Sequence, residues 1–178
     1  MKKFFLWILD LVKTIIIAIV IVIPIRIFVF QPFIVRGESM QPNFHNNDYI
    51  IVDQLSYRLR EPERGEIIIF YLEDNSSQRF IKRIIGLPGE EVQIKNNQVI
   101  VSEDIVLQEP YIPASFETIS DKTIYLKENE YFVLGDNRPA SYDSRRFGVV
   151  SKENIIGRAL INIRFFQFVS LIKTPNYD

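Results

Sequence analysis

The chemistry open to this chain is narrowed by what it lacks. It has no cysteine and one histidine, His45, which excludes a thiol nucleophile, a disulfide scaffold and a metal site built on cysteines or several imidazoles. A Ser-His-Asp triad would have to use His45. Three segments carry polar groups where strand-like sequence would not place them: RGESMQP (Arg36 to Pro42), IKRIIGLPGE (Ile81 to Glu90) and GDNRPASYDSRRFG (Gly135 to Gly148). In the second, Lys82 interrupts an apolar run formed by Phe80, Ile81, Ile84 and Ile85. A lysine there is either an edge gatekeeper facing water or a desolvated amine whose lowered pKa makes it a base. Pattern alone favours the gatekeeper. Ser39, ahead of Met-Gln-Pro, reads in isolation as a turn residue. His45 follows it in an Asn-rich turn with no buried carboxylate evident to orient the ring, a poor setting for a triad base.

Taken together, the three segments resemble the signature boxes of type I signal peptidases, the membrane-bound serine proteases of the secretory pathway. SMQP (Ser39 to Pro42) is similar to the nucleophile box, KRIIGLPGE (Lys82 to Glu90) to the lysine box and GDNRPASYDSR (Gly135 to Arg145) to the last box, in family order. The resemblance covers essentially the whole chain, in its short Gram-positive form. It implies Ser39 as nucleophile and Lys82 as general base, with Ser141 hydrogen-bonding and orienting the lysine. It implies supporting ion pairs, Asp136 with Arg83 and Asp143 with Arg145, and shallow pockets for small side chains lined by Met40, Ile69 and Ile81. The substrates implied are signal peptides of exported preproteins, cut after a small-x-small motif, with no cofactor and no metal. Two positions depart from the family: Asn43-Phe44 stands where Thr-Leu is common, and Glu90 where aspartate is. Gly37 occupies the place where some relatives supply a serine hydroxyl to the oxyanion.

The elements that must position these groups can be read from hydropathy. The 178 residues suffice for one anchor and one compact domain, and a net charge of -1 offers no basic surface to nucleic acid. Residues 14–30 form an apolar run of about 26 Å as helix, interrupted only by Arg26, whose head can snorkel outward. Pro24 is a candidate kink or helix end. Lys2, Lys3 and Lys13 precede the run, which puts the N-terminus in the cytoplasm and the remainder outside a cell membrane crossed once. Residues 1–13 read as a cytoplasmic, interfacial segment.

From residue 31 to 178 the pattern predicts an all-β, antiparallel domain, which the resemblance makes a signal peptidase/SOS-repressor-like fold. Strands are expected at Tyr49 to Leu55, Glu66 to Leu72, Arg79 to Ile85, Glu91 to Val101 with an Asn96-Asn97 turn, Tyr131 to Gly135 and Ile155 to Phe166. Turn residues at Asp74-Asn75-Ser76 separate two of these. Residues 102–130 are expected to be a loop-rich insertion. Residues 164–172, rich in aromatics, are either a last core strand or a segment dipping into the lipid interface. Two other readings explain less: a self-cleaving repressor-type Ser/Lys protease would carry a DNA-binding domain in place of the apolar run, and an inactive homologue acting as an assembly factor would be expected to lose Ser39 or Lys82.

Overall fold

The computed structural model describes residues 2–28, 30–72, 75–102, 105–164, 168–175 and 177. Helix α1 runs from Lys2 to Phe28. The segments expected as an interfacial stretch and an anchor are therefore one helix, and Pro24 does not end it. Its side chains described as exposed include Leu6, Trp7, Ile15, Ile16, Ile17, Ile19 and Val20, so apolar groups face outward all round. Among the described residues no helix is long and apolar enough to cross a membrane; the side chains of residues 23–28, and so the expected snorkelling of Arg26, lie outside the described set.

Two antiparallel sheets follow. The larger is built from β1 (Phe30–Ile34), β2 (Tyr49–Asp53), β3 (Ile67–Leu72), β4 (Asn75–Gly86), β9 (Glu130–Leu134), β10 (Val150–Ser151), β11 (Ile155–Arg164) and β12 (Phe168–Leu171), in the order β1-β2-β11-β3-β4-β9-β10 with β12 on β11. The smaller has the order β7-β6-β5-β8, from β5 (Glu91–Lys95), β6 (Gln98–Val101), β7 (Ile105–Val106) and β8 (Thr123–Tyr125). Among the described residues, two short α-helices, α2 (Ser56–Leu59) and α3 (Ser144–Phe147), and two 3-10 turns, Arg138–Ala140 and Lys152–Asn154, complete the fold.

Strand β3 reads as an unbroken IIIF run because it is buried on both faces: Ile67 and Ile69 enter one core, Ile68 and Phe70 another. In β5 and β6 the alternation is clean, with Val92, Ile94, Val99 and Val101 in a third core. Their connecting Asn96 and Asn97 both have positive φ, 51° and 65°, as a tight two-residue hairpin requires. Strand β11 is bulged twice, and at Gly157 a Cβ would lie 2.5 Å from the Asp53 carbonyl oxygen, so only glycine lets the strands meet there.

The expected strands are present with shifted ends. Strand β1 begins at Phe30, inside the run expected to span a membrane, and β4 begins at Asn75, inside an expected turn whose Asp74 lies outside the described residues. The insertion at 102–130 supplies β7 and β8, too short to read from pattern. Residues 165–167 lie outside the described set; of the rest of the aromatic segment, Arg164 ends β11, every residue of β12 is exposed, with Phe168, Val169 and Leu171 each at 69%, and Ile172 packs against the core.

Candidate active site

Two elements bring the reactive groups together. Ser39 sits in the turn between β1 and β2. The ends of that turn are tied by Val35 N–H to the Asp48 carbonyl (2.8 Å) and Asn47 N–H to the Val35 carbonyl (2.9 Å). Asp48 is buried and accepts from the His45 amide, from Asn162 and from Arg164 of β11. Burial opposes its ionisation, but these donors outweigh it and hold the carboxyl below its ordinary range. The turn carrying Ser39 is thereby fastened to the sheet. His45 contributes its backbone; its Nδ1 is buried without a partner.

Lys82 lies on β4, in register with Ile68 of β3. It is only 3% exposed. Its Nζ lies 2.7 Å from Ser39 Oγ and donates to the Ile81 carbonyl at 2.8 Å. Burial pushes this amine down to about 8 from 10.5, against the opposing pull of the Asp143 and Asp136 carboxylates. The gatekeeper alternative, which needs the amine in water, is not what the structure contains.

The segment after β9 forms the floor. Gly135 is packed so closely that a Cβ would lie 2.5 Å from the Ser39 carbonyl oxygen and 2.2 Å from Ser141 Oγ. That carbonyl accepts from Asn137 N–H at 3.0 Å, and Asn137 Nδ2 donates to the Glu38 carbonyl. Ser141 is buried here, yet its Oγ makes no hydrogen bond. The expected bond to Lys82 is therefore not formed: the hydroxyl packs against Gly135, and Lys82 Nζ meets Ser39 Oγ and the Ile81 carbonyl.

Both expected ion pairs are present. Arg83 Nε and Nη2 donate to the two Asp136 oxygens at 2.8 and 2.7 Å, with both side chains buried. Arg145 grips Asp143 in the same two-pronged way at 2.8 Å, and Asp143 also accepts from the Gly135 amide. The second pair is not an exposed, weak one: Asp143 is fully buried.

Several contributors escaped the sequence reading. Asn43, noted only as a departure, donates to Asp136 Oδ2 at 2.7 Å and to the Tyr111 carbonyl at 2.9 Å. Arg138, fully buried, reaches the Gly135 carbonyl, Thr118 Oγ1 and Glu109, so the insertion is fastened to the floor of the site. Nothing in their sequence surroundings signals this, although Arg138 sits inside the last box. Glu90 caps its turn through the Leu87 amide and pairs with Arg64.

A groove of about 820 Å³ opens from Ser39 and Lys82, walled by β1 residues such as Pro32 and Phe33 and by β4 residues 78–82. Ile69 and Ile81 line it. Met40 does not; it packs beneath, in the same core as those two isoleucines. Among the described residues, strand β4 pairs with β9 at Arg83, Ile84 and Gly86, and β1, at the end of the strand order, pairs with β2. Two strand edges thus face the groove.

Comparison with known proteins adds an independent line. Residues 8–164 match the family model described as signal peptidase, peptidase S26. A probable signal peptidase I-2 of Synechocystis sp. is 42% identical over 160 residues, 86% of this chain and 72% of that protein. Signal peptidase I of Bacillus amyloliquefaciens is 37% identical, covering 94% of this chain and 92% of its own length. Signal peptidase I S of Bacillus subtilis is 36% identical over 94% of both. The crystal structure of a signal peptidase I from Enterococcus faecalis matches at 35% identity with a TM-score of 0.49, covering 56% of this chain and 97% of that one.

Proposed function

The chain belongs to the signal peptidase family, peptidase S26, and on that premise we propose that it removes signal peptides with a Ser39–Lys82 dyad while held to the membrane by α1. The observation that carries the reading is the buried Lys82 Nζ 2.7 Å from Ser39 Oγ. An ordinary lysine is neutral in only about one part in a thousand near pH 7.5; with its pKa near 8, a sizeable fraction of Lys82 is neutral there.

One N–H of the neutral amine serves the Ile81 carbonyl, which leaves the lone pair to face Ser39. The Ser39 proton passes to Nζ as Oγ attacks the scissile carbonyl carbon. The Ser39 backbone N–H supports the resulting oxyanion. The Gly37 amide is already committed to Asn46 Oδ1 at 3.1 Å and does not serve as a second donor. Collapse expels the amine of the mature protein, which takes the proton from the Lys82 ammonium. Water, deprotonated by the same amine, then hydrolyses the acyl-enzyme and restores Ser39.

The signal peptide lies in the groove as an added strand, because open backbone edges of β1 and β4 offer its amides partners. Ile69 and Ile81 give the groove apolar walls, which supports a preference for small apolar side chains. The exposed apolar side chains of α1, continued in sequence through residues 23–30, support the anchor, and Lys2, Lys3 and Lys13 support a cytoplasmic N-terminus. Strand β1 is the next element after α1 in chain order, which supports a groove that begins where a signal peptide leaves the bilayer. A detergent-solubilised preprotein assay tests the proposal. Cleavage after small-x-small by the wild type, but not by Ser39→Ala or Lys82→Ala, is expected; cleavage by either variant at the wild-type rate would overturn it.

A further inference from the structure

The residue after the lysine carries a structure of its own on the other side of β4. Lys82 lines the groove, whereas Arg83 lines a separate cavity of about 400 Å³. The Arg83 guanidinium is held by both Asp136 oxygens, by the Gly65 carbonyl at 2.9 Å and by the Tyr111 ring, whose centroid lies 4.0 Å from Cζ. Tyr111 in turn meets Tyr177 edge-on, with centroids 6.3 Å apart, planes at 83° and the two hydroxyls 3.2 Å apart. Gly65 backs the same segment: a Cβ there would lie 2.7 Å from Tyr177 Cε2 and 2.9 Å from Pro175 Cδ. Two segments distant in sequence, the insertion and the carboxyl-terminal residues, thus meet on the far side of the catalytic strand.

We propose that Tyr111 and Tyr177 are positioning residues for catalysis, and that the segment carrying Thr174, Pro175 and Tyr177 acts as a clamp. It closes over the Arg83–Asp136 pair from the side away from substrate and so holds Lys82 against Ser39. This rests on the reading of Ser39 and Lys82 as the dyad.

Two physical links connect the clamp to the amine. The clamp keeps the Arg83 guanidinium almost wholly buried beside the cavity, and it keeps Arg83 stacked where it neutralises Asp136. The groups facing Lys82 are Ser39 from the turn, and Asp136 and Asp143 from the segment after β9, with Arg83, Arg138 and Arg145 neutralising the carboxylates around them. Opening the clamp hydrates the strand and leaves Asp136 less well neutralised. Both changes favour the ammonium, so the dyad would need a higher pH to work. Burial raises both phenols above their ordinary value, which leaves Lys82 as the group that sets the acid limb.

The test is the pH profile of kcat/KM for preprotein cleavage by the full chain in detergent, comparing wild type, Tyr177→Ala, Tyr177→Phe and Lys82→Ala. Tyr177→Ala should move the acid limb up by about one pH unit, a loss of about tenfold at neutral pH that closes at high pH. Tyr177→Phe keeps the ring edge and should follow the wild type. An unfolded fraction would lower the profile by one factor at every pH; that outcome, or an unchanged profile, would overturn the proposal. Should Tyr177→Ala fail to fold, Tyr177→Leu keeps apolar bulk without the ring and makes the same comparison. Activity retained by Lys82→Ala would sink the dyad reading itself, whatever Tyr177 does.

Discussion

Gly135 and Ser39 approach so closely that a methyl group on the glycine would sit 2.5 Å from the serine carbonyl oxygen. The contact fixes the height of the nucleophile turn over the floor of the site. Gly135→Ala should push Ser39 away from Lys82 by a few tenths of an ångström or more, because a backbone oxygen cannot rotate aside. Displacements near 1 Å cost on the order of a hundredfold in rate, and overpacking of this kind costs about 1–3 kcal/mol in stability. Steady-state kinetics should show the rate loss with the fold retained in thermal unfolding. Near-normal kcat/KM would mean the turn is not held at this point.

Asp136 and Arg83 are buried together, so removing one strands the other. Asp136→Asn or Arg83→Met alone should cost about 3–5 kcal/mol in urea unfolding, whereas Arg83→Met with Asp136→Leu should recover much of the loss. The half-exposed pair of Lys152 with Glu61 provides the contrast: its removal should cost about 0–1 kcal/mol. Equal effects at the two pairs would show that burial does not govern their worth.

Strand β12 presents Phe168, Val169 and Leu171 to the outside, and the proposed anchor places the domain beside a bilayer. In a Trp7→Phe, Phe168→Trp form of the full chain reconstituted into vesicles, brominated lipids should quench the new indole. Fluorescence unaffected by bromine at any depth would place β12 in water.

Much of this architecture is legible in the sequence because it rests on local rules. The Asn96-Asn97 turn, the IIIF strand buried on both faces and the alternation of β5 and β6 follow from periodicity and turn chemistry. The site is legible only as three separated boxes, since no local rule reports that Lys82 and Ser39, 43 positions apart, end 2.7 Å from each other. What stayed hidden depends on tertiary contact alone. Asn43 looks like a departure from a motif until Asp136 is seen beside it, and Glu109 and Tyr111 look like loop residues until two buried arginines are seen to need them. The bond expected from Ser141 to Lys82 is absent, because where each side chain comes to rest is set by tertiary packing: Ser141 Oγ is buried without a partner while Nζ meets Ser39 and the Ile81 carbonyl.

Keeping Lys82 neutral has a stability cost with a definite pH signature. Its pKa falls from 10.5 unfolded to about 8 folded, so between those values the unfolded chain binds the extra proton and stability rises with pH. Below about pH 8 the full penalty applies. Lys82→Met should therefore be inactive yet more stable than the wild type at pH 7, by up to about 3 kcal/mol, and the gain should shrink toward pH 10. A gain that is absent, or constant with pH, would mean the amine is not strained by burial.

The proton affinity of Lys82 itself is the quantity on which catalysis turns. Nitrogen-15 NMR of the lysine side chains in the full-length protein in detergent, with the Lys82 signal assigned by its disappearance in Lys82→Arg, measures that affinity directly. Expected is a titration midpoint near 8. A midpoint near 10.5, the ordinary lysine value, would leave Ser39 without a base at neutral pH and contradict the dyad.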